Sequence, residues 1–223
     1  MKRSITETAV RLLILLIGLT VAHFGVTLFL LAELGADPFN VLVQGIFRSL
    51  KSLGGWTFLT HGFTHAAICL AIIATLLIVE KSYIKIGTVL CMLCGGPIID
   101  FFSALLAPLF SEGMSLPLKL AALCAGCVIL AFGMTIVIRS DAGTGPNDLV
   151  AVVLSDKLRL PFGRVRIATD LAFVLSGYLL GGSVGIGTLI CAFLVGPVAG
   201  RFLPVSERIV AHFTRAFDTA ARG

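Results

Sequence analysis

The chain repeats itself, and the repeat decides what it can fold into. Gly35-Ala36-Asp37-Pro38-Phe39-Asn40 returns 108 residues later as Gly143-Thr144-Gly145-Pro146-Asn147-Asp148. Each copy ends a long apolar run and opens a short helix-like one. At the same offset Phe24-Gly25-Val26-Thr27 matches Phe132-Gly133-Met134-Thr135, and Glu33 meets Asp141. At an offset of 100, Ile86-Gly87-Thr88 matches Ile186-Gly187-Thr188, Cys91 meets Cys191, and Gly96-Pro97 meets Gly196-Pro197. Shared composition could supply one such match but not the ordered set, so the expected fold is two versions of one unit.

That unit is built for a membrane. Of the 223 residues, 57% are hydrophobic and 13% charged, with a mean hydropathy of +1.04. A soluble domain of this size cannot bury so much apolar surface, so an all-helical, multi-pass membrane protein is expected. A span takes about 20 apolar residues. Six runs qualify, at roughly 12–34, 57–79, 86–109, 118–138, 165–181 and 185–203. The last two are short and meet at Gly181-Gly182-Ser183-Val184-Gly185, a tight hairpin. Lys2, Arg3 and Arg11 imitate the start of a signal peptide, but the apolar run continues without a small-x-small cleavage site, as in an uncleaved first span.

The net charge of +5 follows membrane sidedness and does not point to nucleic acid. With the N-terminus inside, fourteen Lys and Arg fall on inner segments and three, Arg48, Lys51 and Lys119, on outer ones. This split places both termini in the cytoplasm. It would be the same if the two short helices also crossed to make eight spans. The 13 or so residues that follow Pro38 or Pro146 are too few to cross, which favours six. Three spans per repeat is an odd number, so the second copy enters from the opposite side, giving inverted repeats. The whole chain reads as one membrane domain: repeat 1 over about 12–110, repeat 2 over about 118–204, and a basic tail over 205–223.

Each repeat carries a short helix after its first span. Asp37 is placed to cap the first, with Pro38 at its first position. Gly145 caps the second, Pro146 follows, and Asp148 reaches the third position, where a carboxylate favours the free amides. Such a helix either lies at the interface or re-enters the protein with its N-terminal amides pointing inward, a ready site for a polar or anionic group. The third and sixth spans each hold Gly-Pro near the middle, which predicts kinks at Pro97 and Pro197. After Pro204 a further helix is expected. Arg201, Arg208, Arg215 and Arg222 recur every seven residues opposite Val210, Phe213 and Phe217, a pattern suited to anionic lipids on the inner leaflet.

Other polar residues are weighed against plain packing. Cys91/Cys94 and Cys124/Cys127 have metal-ligand spacing, but the pairs enter from opposite faces of a core about 30 Å thick. Cys191, the repeat mate of Cys91, has Leu194 where a second thiol would stand. All six cysteines therefore read as small buried hydrophobes, with no metal or other cofactor expected. His61, His65 and His23 lie within spans and have no histidine mates in the other repeat, so packing is expected of them. Asp100, about 21 Å along its span, is expected to be buried in the outer half and is a candidate functional acid. Asp170 has Arg166 one turn earlier and reads as a structural pair. No nucleophile-and-base set stands out, and Gly-Thr-Gly-Pro lacks the lysine and preceding strand of a phosphate loop, so no enzyme is expected.

Taken together, Gly-Ala-Asp-Pro-Phe-Asn at 35–40, Gly-Thr-Gly-Pro-Asn-Asp at 143–148, the paired Ile-Gly-Thr…Gly-Pro blocks and Gly163-Arg164 resemble the YczE/YyaS/YitT group of bacterial membrane proteins. The resemblance covers residues 12–204. It implies an integral protein of the bacterial cytoplasmic membrane and no particular reaction. The leading expectation is a permease for a small polar or anionic solute. Its site would comprise Gly35, Asp37, Pro38, Asn40, Asp100, Gly143, Thr144, Gly145, Pro146, Asn147 and Asp148, with the kinks at Pro97 and Pro197. The rival expectation is a non-transporting scaffold or regulator acting through the basic tail. The expected partners are the bilayer, anionic lipids and a small molecule, and self-association into a homo-oligomer stays open.

Overall fold

The computed structural model describes residues 5–54, 59–110 and 114–220, with side chains described through Thr214. Among these residues are eight α-helices and no strand. In chain order they are α1 (Ile5–Leu31), α2 (Pro38–Gly54), α3 (His61–Val79), α4 (Ile86–Leu106), α5 (Leu116–Ser140), α6 (Pro146–Leu158), α7 (Phe162–Leu179) and α8 (Ile186–Ala220). Short 3-10 turns follow α3 and α4.

Five of the helices are long and apolar enough to cross a membrane: α1, α3, α4 with its trailing turn, α5 and α8. The run expected at 165–181 falls in α7, whose 18 residues include Arg164, Arg166 and Asp170. That composition keeps it out of the apolar class. The expected start of the second run, at 57, lies outside the described residues. The helix described there begins at His61, where Thr60 accepts a hydrogen bond from the amide of Phe63.

The centre of the fold is the crossing of α1 and α5. A Cβ on Gly25 would lie 2.5 Å from the carbonyl oxygen of Gly126, and one on Gly133 would lie 2.6 Å from that of Gly18. The repeat pairs 18 with 126 and 25 with 133, so these are one contact made twice with the partners exchanged. Helices in lipid gain little from hiding apolar surface, and small residues that let backbones meet are the usual route to tight packing. Around this crossing α8 packs on α5, with Leu123, Cys127, Ala131, Cys191 and Val195 in one buried cluster. α4 covers α1, and Cys91 joins Leu15, Leu19 and Val137.

The turns after α1 and α5 are also copies. Glu33 and Asp141 both have φ of 55°, and Gly35 and Gly143 both have φ of 140°, a region glycine reaches without strain. Each turn then locks onto the other repeat. The amide of Gly87, at the start of α4, donates to the carbonyl of Ala142 over 2.9 Å. The amide of Gly187, at the start of α8, donates to that of Leu34 over 2.8 Å.

One expectation for the C-terminal region is corrected. The tail is not a separate helix, because α8 runs unbroken through Pro197 and Pro204. A proline removes one hydrogen bond from the ladder, and here packing after Pro204 holds the helix on course. The buried Ser206 hydroxyl lies 2.7 Å from that of Thr135, and Val210 packs with Val10, Ile14 and Ile136. The tail's apolar side thus packs on α1 and α5 at Val210, while Phe213 is exposed. Arg201 and Arg208 are exposed. The side chains of Arg215 and Phe217, and Arg222 altogether, lie outside what is described.

Candidate functional site

The N-termini of the two short helices meet at one cavity. Its volume is about 300 Å³, and its walls come from both repeats. Asp37, Pro38 and Asn40 from the first helix start and Gly145, Pro146, Asn147 and Asp148 from the second all line it. Both starts are set by local chemistry. The Asp37 carboxylate accepts the amide of Asn40 over 3.2 Å and also its side-chain amide, a cap that closes the first turn of α2. In α6, Gly145 holds the capping position with no side chain to offer, and Asp148 supplies the negative charge from the first turn.

The chemistry is concentrated at Arg166. This buried guanidinium reaches the cavity from α7 and joins two carboxylates. Its Nη1 donates to Asp148, and its Nε donates to Asp170 over 2.9 Å. Nη1 also lies 3.7 Å from the Met134 sulfur. Asp170 is 1% exposed, so its charge depends on that pairing.

Two histidines line the other side. The Nδ1 of His23 lies 2.8 Å from the carbonyl of Leu19. A carbonyl can only accept, so Nδ1 carries the proton and Nε2 of the neutral ring is an acceptor. That Nε2 faces Gly95, where a Cβ would come within 2.8 Å of it. His65 lies edge-on to Phe39 with ring centroids 5.3 Å apart. His61, one turn earlier, is set against Phe47 and does not line the cavity.

The other expected site residues are elsewhere. Gly35 and Gly143 are packed against the starts of α8 and α4, where a Cβ on either would strike backbone or the Thr188 hydroxyl. Thr144 is buried beside Thr88, with its amide 3.5 Å from that hydroxyl. Gly143 and Thr144 border a second cavity of about 320 Å³, with Lys85, Asp141 and Asp156. Asp100, expected to be buried, is exposed on α4. The cavity-facing stripe of α4 contains Cys91, Met92, Gly95, Gly96 and Ile99, and the next residue is turned about 100° away from Ile99. Pro97 and Pro197 are also exposed, and neither lines the cavity.

Arg166 is the functional candidate that reading the chain as a sequence assigned only to structure. Its signal was an arginine inside a run read as a span, where a charge is costly unless paired and is a functional candidate by default. Among the described residues no group of three or more His, Cys, Asp or Glu could hold a metal ion. Cys69, Cys91 and Cys191 line the cavity as free thiols.

Comparison with known proteins agrees with a membrane protein. An uncharacterised protein of Haemophilus influenzae is 27% identical over 196 residues, covering 88% of this chain and 84% of its own length. The uncharacterised membrane protein YczE of Bacillus subtilis is 26% identical over 210 residues, with 92% and 90% covered. The uncharacterised protein YyaS of the same organism is 24% identical over 195 residues, with 86% and 92% covered. No solved structure matches. The five apolar helices and these relatives make the chain a multi-pass integral membrane protein. With residues 9–204 matching throughout, it belongs to the family of unknown function DUF6198.

Proposed function

We propose that this protein is a permease, not an enzyme, that moves a small polar solute through the cavity between its two repeats. The observation that carries this reading is the meeting of Asp37 and Asp148 at one cavity. They stand at the starts of two helices that are repeat mates. Short helices in matching positions of two repeats, with their N-termini at one shared site, are typical of inverted-repeat transporters.

Six spans with inverted repeats follow if α7 also crosses and α2 and α6 do not. The contacts of α2 and α6 support this. α2 has Ala36, just before its start, bonded to the Thr188 hydroxyl over 2.6 Å. Farther along, Gln44 accepts from the amide of Ser183 and Arg48 donates to the carbonyl of Gly181 over 2.7 Å. α2 is therefore tied to the α7–α8 region from just before its start to Ser49. α6 is held in the same way by the α3–α4 connection. Gly87 binds Ala142 just before it, while Tyr83 meets Asp156 and Glu80 meets Lys157 near its end. Ties of each helix to a single connection support the reading that neither crosses.

Polar contacts between distant segments also respect a topology with both termini in the cytoplasm. Arg11 with the Ser140 carbonyl, Lys85 with Asp141 and Arg139 with Glu207 join inner segments. Arg48 with Ser183 and Lys119 with Glu33 join outer ones. The bacterial relatives suit the cytoplasmic membrane as the protein's setting.

The test is uptake by proteoliposomes containing the purified protein, following solutes that raise its melting temperature in detergent. A ligand of the folded state at about 100 times its dissociation constant adds about 2.7 kcal/mol. We expect a stabilising solute to be transported, and both effects to be lost in Asp148→Ala. Binding without transport across a broad panel would move the reading to a receptor or scaffold.

A further inference from the structure

The polar groups of the cavity are chosen for one sign of charge. Asp37 and Asp148 line it, and Asp170 is buried behind Arg166. Against these three carboxylates stands one guanidinium, Arg166, and both of its described hydrogen bonds to charged groups go to Asp148 and Asp170. The local sum is negative by two charges. An open helix N-terminus would invite an anion, but here that role is filled from within. Asp37 already takes the amide of Asn40, and Asp148 sits in the first turn of α6.

The uncharged groups point the same way. In its neutral form His23 commits its one N–H to Leu19 and turns an acceptor toward Gly95. Asn40 commits one side-chain N–H to Asp37. Asn147, His65 and the second side-chain N–H of Asn40 add neutral donors, but every net charge left to an occupant is carboxylate, which rewards a cationic donor. Most of the remaining wall is apolar, with Val26, Phe29, Phe39, Met92, Ile99 and Leu130. Aromatic faces among these can also hold a cation.

Resting on the permease reading of this cavity, we propose that its occupant is a small organic cation, a protonated amine or guanidine attached to an apolar body. The charged end sits between Asp37 and Asp148 with His23 Nε2 as a further acceptor. The body lies against Phe29, Phe39 and Met92. Arg166 acts as a positioning residue, holding the Asp148 carboxylate in place and offsetting Asp170.

The test compares three probes of nearly one shape on the full-length protein in detergent: phenethylamine, phenethyl alcohol and phenylpropionate. Binding is followed by calorimetry at neutral pH. A charge-assisted hydrogen bond contributes roughly 1.5–3 kcal/mol. The amine should therefore bind about ten-fold or more tightly than the alcohol, and the carboxylate more weakly than either. Asp37→Asn should narrow the gap between amine and alcohol without reversing it. The comparison of probes on the unaltered protein stands even if that variant does not fold. Equal or tighter binding of the alcohol or carboxylate overturns the cation assignment and leaves the cavity as a solute site. If neither these probes nor the wider solute panel binds, the permease reading fails and this inference fails with it.

Discussion

Gly25 and Gly126 touch backbone to backbone, each so close that a Cβ on it would lie 2.5–2.6 Å from the other's carbonyl oxygen. No flexible side chain stands between them, so nothing can give way except the α1–α5 crossing itself. Gly25→Ala should cost about 1–3 kcal/mol of stability, as overpacking does. Gly62, where a Cβ meets nothing within 4 Å, is the control. Its change to Ala should be neutral or stabilising by up to about 1 kcal/mol. Melting temperatures in one detergent decide the matter, and equal effects at the two sites would contradict the crossing described here.

Thr88 and Thr188 are repeat mates and both fully buried, but their bonds are unequal. Thr188 donates to Ala36 over 2.6 Å and accepts from Gly185 over 3.1 Å. Thr88 accepts from Thr144 and Lys85 at 3.5 Å each. Thr188→Val should therefore be the more damaging change, by about 1–3 kcal/mol, the penalty for leaving buried groups unpaired. Chemical unfolding of the two variants side by side measures the difference.

Removing Arg166 leaves Asp170 buried and unpaired. Arg166→Met should destabilise the protein by roughly 3–5 kcal/mol. Adding Asp170→Asn in that background should restore part of the loss, because the orphaned charge is then gone. Arg166→Lys should not replace the arginine, since a point charge cannot serve two carboxylates in a fork. A double-mutant cycle on unfolding free energy tests all three statements.

At the α3–α6 end, hydrogen bonds from Lys157 and then Ser82 hold the Glu80 carboxyl below its usual range. A depressed folded value means that Glu80 adds stability above the pH at which it titrates in the unfolded chain. That stability is lost as pH falls through the folded value. Glu80→Gln should thus melt below the unaltered protein at neutral pH. The two melting curves should converge only in acid below the ordinary carboxylate range. Convergence near pH 6 would mean that Glu80 is not bonded as described.

How much of this was legible in the chain varied with the range of the interaction. The turn at Gly35 and its copy at Gly143 could be read because a positive φ demands glycine and Pro38 and Pro146 mark helix starts. That both starts share one cavity followed from their being mates. Arg166 was read through Asp170, its neighbour one turn away. Its bond to Asp148 joins a different helix, and spacing within one helix does not reveal such a bond. Asp100 was judged by its depth along α4 when the deciding quantity was its angle around the helix. The continuity of α8 past Pro204 depends on Thr135, Ser206 and Val210, contacts that no local propensity encodes.

Gly96 and Gly196 are mates with different fates. Gly196 is pressed against Gly163, where a Cβ would lie 2.5 Å from the carbonyl oxygen, so α7 is closed onto α8. Gly96 lines the cavity, is exposed, and would meet nothing within 4 Å. A glycine inside a helix costs about 1 kcal/mol relative to alanine, and nothing near Gly96 in this conformation requires it. If the halves trade shapes during a transport cycle, the smallness of Gly96 is explained by a moment not pictured: α3 shut against α4 while α7 swings away from α8. The protein would then carry, at one residue, an imprint of its other conformation.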